Sequence, residues 1–179
     1  MNPLRRLTVV ALAGVVAAAV AACAPVTVTS FTEKDVQMSR YRTYDWGTVD
    51  PGVPGDPRLD SNPFFHDYIH GAIDRYLRTR GYEQTVLVPD LRVHYHASTT
   101  QRISISGTEP TKETCRDCAL QVYDEGTLLI DLIDARTGAL VWRGSAQTGI
   151  AGAVDDQARM EAVIERAVSR ILDRLPPRG

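Results

Sequence analysis

Apolar and polar side chains alternate along residues 90–106. Leu91, Val93, Tyr95 and Ala97 have one parity, and Arg92, His94, His96 and Ser98 the other. Successive side chains of a strand point to opposite faces, so this pattern predicts a half-buried strand. Residues 101–106 either continue it or form a neighbour. Residues 123–135 give the strongest strand pattern, with Leu128, Ile130 and Leu132 alternating against Leu129, Asp131 and Ile133. Residues 134–138, Asp-Ala-Arg-Thr-Gly, have the composition of a turn. Residues 139–150 then return as the hairpin partner. Near the start, Val26 and Val28 alternate with Thr27 and Thr29, which suggests a first strand rather than a flexible stalk. Residues 41–46, Tyr-Arg-Thr-Tyr-Asp-Trp, read as an aromatic-rich second strand.

Two segments change to a helical period. Phe65, Ile69, Ala72, Ile73, Tyr76 and Leu77 lie on one helical face. Asn62 can cap the first free amides, and Pro63 suits the first helical position. Arg78 and Arg80 stand at the negative end of the dipole, and Gly81 can take the left-handed stop, giving a helix over 63–80. Residues 47–62 contain Pro51, Pro54 and Pro57 and read as a loop. Asp155 and Asp156 cap a last helix whose buried stripe runs from Met160 through Val163, Ile164, Ala167, Val168 and Ile171 to Leu172. Pro176-Pro177 ends it. The order β-β-α-β-β-β-α predicts an α+β fold: an antiparallel sheet of about five strands with two helices packed on one face.

The first 22 residues break from all of this. They hold Arg5 and Arg6, no acid, and an apolar or small run over 7–22. Sixteen residues are short of the roughly 20 a membrane-spanning helix needs. A basic start, a short apolar stretch and small residues at its end form a secretory signal. Val20-Ala21-Ala22-Cys23 resembles the bacterial lipobox. In that class the cysteine sulfur receives a diacylglyceride, the signal is cut before it and the new amine is often acylated. The expected domains are therefore a signal over 1–22 and a single periplasmic domain over 23–179. One acyl chain binds marginally, at about 0.8 kcal/mol per buried methylene, whereas two or three hold firmly. Ala24 follows Cys23, and inner-membrane lipoproteins often carry Asp there, so the resemblance points to the outer membrane.

Composition refines this picture. The chain has 20 Lys+Arg against 22 Asp+Glu, and removing Arg5 and Arg6 makes the remainder more acidic. An acidic body gains nothing from anionic lipid, so acyl chains must do the anchoring. The absence of a basic excess argues against nucleic acid as a partner.

Several blocks of the mature chain resemble a known family. They are Tyr41–Trp46, Gly81-Tyr82, Pro89-Asp90-Leu91, Glu125-Gly-Thr-Leu-Leu-Ile-Asp-Leu-Ile-Asp134 and Thr137-Gly-Ala-Leu-Val-Trp-Arg-Gly144. Together they look like the bacterial lipoproteins of domain-of-unknown-function family 4136, over about residues 26–176. The resemblance implies a fold and a location and no catalytic residues.

Candidate chemistry is sparse. Cys115 and Cys118 lie in a polar loop with no helix signal after them, unlike a thioredoxin-type redox pair. In an oxidising compartment they are expected to form a small structural disulfide, contributing only about 2 kcal/mol. With His94 and His96 they would supply two sulfur and two imidazole ligands, but nothing in the sequence brings that loop over the strand. His66 and His70 are spaced i, i+4 without the glutamate of a zinc protease, and read as groups flanking the apolar stripe, solvated or capping it. Ser104, Ser106 and Ser145 lack a nucleophile elbow. Asp131 and Asp134 could form a glycosidase-like pair, but solvation at a strand edge is the expected role. Gly144, Gly149 and Gly152 are not a phosphate loop. Trp46 and Trp142 are read as core packing. No catalytic, metal or cofactor site is assigned.

The expected function is a membrane-anchored binding or scaffold module of the cell envelope. Arg92, His94 and His96 are its candidate surface for an envelope protein partner. The alternatives are a small hydrolase acting on cell-wall or lipid material, and a metal or redox module built on Cys115, Cys118, His94 and His96.

Overall fold

A computed structural model describes residues 25–47, 57–60, 62–106 and 119–178. The strands are β1 (Thr27–Thr32), β2 (Thr43–Trp46), β3 (Glu83–Gln84), β4 (Leu91–Ser106), β5 (Ala119–Asp134) and β6 (Leu140–Gly149). The helices are α1 (Pro57–Asp60), α2 (Pro63–Thr79) and α3 (Gln157–Leu172), with a 3-10 turn at Met38–Arg40. The strands form one sheet in the order β1-β6-β5-β4-β2-β3.

The predicted antiparallel sheet of about five strands is corrected to a mixed sheet of six. β4–β5, β5–β6 and β1–β6 are antiparallel, but β2 runs parallel to both β3 and β4. The cause is α2. It carries the chain back to the end where β2 began, so the next strands repeat the direction of β2. Asp90 fixes the alignment by accepting the amides of Arg42 and Thr43 at 2.7 and 3.0 Å. Burial opposes ionisation of Asp90, but these hydrogen bonds outweigh it and hold the carboxyl below its usual value. β4 continues through residues 101–106 as one strand, and β5 starts at Ala119, earlier than its pattern indicates.

Helix boundaries follow the sequence signals. Asn62 accepts the Phe64 amide at 3.1 Å, and Asp156 accepts the Arg159 amide at 3.0 Å. Gly81 takes φ +80° after α2. α2 and α3 lie together against one face of the sheet. Ile69, Ile73 and Leu77 of α2 and Ile164, Ile171 and Leu172 of α3 meet Tyr44, Val93, Ile130, Leu132 and Trp142 in a single core. Gly144 is required at its place. A β-carbon there would stand 2.4 Å from Cη2 of Trp142 and 2.5 Å from Cγ2 of Ile171.

Among the described residues, one part of the sheet has no helix over it. β6 ends opposite Glu125, and beyond it β4 and β5 continue as a two-stranded arm to the pair Ser106–Ala119. On the arm's continuation of the core face, Ile103, Leu120 and Val122 are exposed by 69%, 68% and 62%.

Candidate functional site

Alternation on β4 places Arg92, His94 and His96 on the face away from the helices, as the sequence indicates. In register they stand beside Ile133, Asp131 and Leu129 of β5. Arg92 is exposed, while His94 and His96 are half-buried. The His94 ring lies over Gly47, where a β-carbon would fall 1.8 Å from Nε2. At the centre of this face Asp131 is buried, and both its oxygens accept from Arg143 at 2.6 Å. The paired carboxylate holds the Arg143 guanidinium more firmly protonated. Phe31, half-exposed, pairs in register with Arg143. The surface is thus a polar, charge-paired floor with a cationic and imidazole row along one side.

Asp131 and Asp134 were expected to be solvated, and both are buried. Three residues apart on one strand, they occupy opposite faces, which rules out a shared glycosidic bond. Asp134 closes the β5–β6 turn. It accepts from Tyr41 Oη at 3.0 Å, from the Arg136 amide at 3.0 Å and from the Thr137 amide at 2.9 Å. Burial raises its pKa, but these donors outweigh burial and leave it below the ordinary value.

A second cluster lies on the helix side. Trp46 at the end of β2 stacks on His70 of α2, with ring centroids 3.8 Å apart and planes at 15°. Tyr95 of β4 stands edge-on to both rings, at 6.1 Å from Trp46 and 5.4 Å from His70. Its hydroxyl meets Nδ1 of His66. The two histidines are therefore half-buried members of an aromatic cluster rather than solvated flanks. Burial lowers the pKa of His70 and the neighbouring His66 adds to this, against opposing pulls from Asp74 and Asp67. His70 is accordingly a neutral ring near pH 7. NMR titration should place its midpoint below 6.5, with Trp46 fluorescence changing as His70 protonates and the stack loosens. The i, i+4 spacing displays the histidine pair in the sequence. Its partners come from two distant strands and leave no local signal.

The third feature is an apolar crevice between the N-terminal halves of both helices and the sheet. It holds about 450 Å³ of empty space, its open mouth included. Phe65, Ile69, Met160 and Ile164 form its helix walls, and Ala97, Leu128, Ala146 and Ile150 its floor. Among the described residues, no ionisable side chain lines it.

Cys23, Cys115 and Cys118 lie outside the described residues, as does the signal over 1–22. Among the described residues no three His, Cys, Asp or Glu side chains converge as metal ligands. Among those residues too, no helix is long and apolar enough to cross a membrane.

Several solved structures are similar at low identity. A PDZ domain protein from Parabacteroides distasonis superposes with TM-score 0.52 at 13% identity, over 86% of this chain and 36% of that one. The chain thus spans about a third of that protein's length, and the likeness is one of fold. The PelC dodecamer from Paraburkholderia phytofirmans gives TM-score 0.49 at 12% identity, covering 83% of this chain and 96% of that one. A DUF4136 family protein from Bacteroides thetaiotaomicron gives 0.49 at 10% identity, covering 86% and 97%. No curated protein matches at a significant level. The profile of DUF4136, a domain of unknown function, matches residues 27–177. That span takes in every strand of the sheet and both long helices, and the chain belongs to the DUF4136 family.

Proposed function

We propose that the protein is a lipid-anchored module of the bacterial cell envelope, held in the outer membrane by acyl chains on Cys23, whose domain binds rather than catalyses. The observation that carries the binding reading is the crevice. It opens between the described elements, and among the described residues its walls are apolar, with hydroxyls only from Ser98, Thr99, Thr127 and Thr148 and no acid or base beside them. The open face carrying Arg92, His94 and His96 is the second surface of the module, suited to an acidic patch on an envelope protein.

Anchoring is tested first. Cys23→Ser should move the protein out of the membrane fraction, and the wild-type N-terminal peptide should carry a diacylglyceride mass. Retention of the variant in that fraction, with an unmodified wild-type peptide, would refute the anchor. Crosslinking in intact cells then tests the open face. A partner captured by wild type should be lost when Arg92, His94 and His96 are changed together to alanine, and its retention would remove that surface from the reading.

The hydrolase alternative has one observation in its favour, the buried-side cluster of Trp46, His66, His70 and Tyr95. If that cluster does chemistry on cell-wall or lipid material, His66→Ala should abolish turnover while leaving the fold intact.

A further inference from the structure

The geometry points to a second membrane contact: we propose that the β4–β5 arm lies on the bilayer with Ile103, Leu120 and Val122 seated in its interface. The inference rests on the reading of Cys23 as the anchor.

Register shows which end of the domain faces the anchor. Thr27, the first residue of β1, pairs with Gln147, which pairs with Thr127, which pairs with Ser98. The N-terminal end of β1 therefore points to the end of the sheet where the arm projects. Cys23 is four residues before Thr27, a span of at most about 14 Å. The arm runs from Ser98 to Ser106, eight residues beyond the same row, or about 26 Å at 3.3 Å per residue. The arm is longer than the tether. A body anchored at Cys23 therefore brings the arm to the lipid surface.

The arm carries side chains suited to that position. Ile103 and Val122 pair directly, and Leu120 is two residues from Val122 on the same face. That face is the one covered by helices lower in the sheet, and among the described residues no helix covers it here. Gln101 and Asp124, also paired, separate this stripe from the apolar crevice. Phe64, 59% exposed, stands at the start of α2, beside the Phe65 that lines the crevice, so it belongs to the same end of the domain. Exposed aliphatic clusters mark membrane or protein contacts, and an interfacial face gains with the apolar area it buries.

The molecule supplies its own control. Val86, Leu87 and Val88 are more exposed than the arm stripe, at 77%, 87% and 82%. They follow β3, the strand at the far edge of the sheet from β1. The amides of Thr85 and Asp90 hold that loop to Tyr44 and Thr43, at the opposite end of the ladder from the arm.

The test is photolabelling of the full processed protein in vesicles of phosphatidylethanolamine and phosphatidylglycerol doped with a diazirine-bearing phosphatidylcholine. Adducts are read by mass spectrometry. Labelling at 103, 120 and 122 should exceed that at 86–88 several-fold. Leu120→Lys with Val122→Lys should bring the arm down to the level of the loop while the protein stays on the vesicles. Equal labelling of arm and loop, or crosslinks between the arms of two copies in place of lipid adducts, would overturn the proposal. The mass of the N-terminal peptide separates the two readings. An acylated Cys23 with an unlabelled arm refutes the arm contact alone, and an unmodified Cys23 refutes the anchor whatever the arm does.

Discussion

Replacing Asp134 with alanine should destabilise the domain by about 2–4 kcal/mol at neutral pH, from the cost of leaving buried donors unpaired. The carboxylate receives the Tyr41 hydroxyl and the amides of Arg136 and Thr137. Removing it strands the Tyr41 hydroxyl in a buried site and two turn amides in a part-buried one, where the carboxylate itself is 8% exposed. The loss has a pH signature. In the folded protein Asp134 titrates below its ordinary 3.8. Its contribution is therefore complete above that value and is lost as pH falls through the folded pKa. Urea unfolding across a pH series should show the gap between wild type and variant closing only below about pH 4. A gap constant from pH 7 to pH 3 would mean that the charge is irrelevant and that packing alone was lost. Asp90, held low by the amides of Arg42 and Thr43, should add a parallel acid sensitivity.

Gly144→Ala should cost about 1–3 kcal/mol, the usual penalty for overfilling a packed core. Its new methyl would meet the Trp142 ring at 2.4 Å and Ile171 at 2.5 Å, between a strand and a helix that are both fully buried there. The contact atoms on Trp142 are Cη2 and Cζ2, which belong to the outer ring of the indole. Trp142→Phe removes that ring. Gly144→Ala should therefore cost less in the Trp142→Phe background than alone, a non-additivity visible in a double-mutant cycle. Full additivity would show that Ile171 is the whole obstacle.

These two positions also show what the sequence could reveal. Trp142 and Gly144 have the same parity in a strand, so their shared face follows from alternation alone. The same reasoning put Leu91 and Val93 in the core and Arg92, His94 and His96 opposite. Capping residues and helical stripes located α2 and α3 to within a residue or two, because those signals act over one turn. The failures all involve distant partners. β3 is two exposed residues and has no period to detect. The parallel pairing of β2 with β4 joins residues 47 apart, and no local pattern marks the helix between them as a crossover. Alternation alone puts Asp131 and Asp134 on opposite faces of one strand, which already argues against the pair that the sequence left open. That one would be buried under Arg143 and the other under Tyr41 depended on the folded sheet. The Trp46–His70–Tyr95 cluster was hidden for the same reason.

The edge position of β1 has a mechanical consequence. Its six residues pair antiparallel with β6 from Thr27 to Thr32, so its N-terminal end lies at one end of that ladder. A pull on that end would load the β1–β6 hydrogen bonds in shear, all sharing the force, rather than peeling them apart one by one. Shear geometry resists sudden tension far better than unzipping does. The strand that joins the domain to whatever holds its N-terminal end is therefore set to transmit force without tearing the sheet.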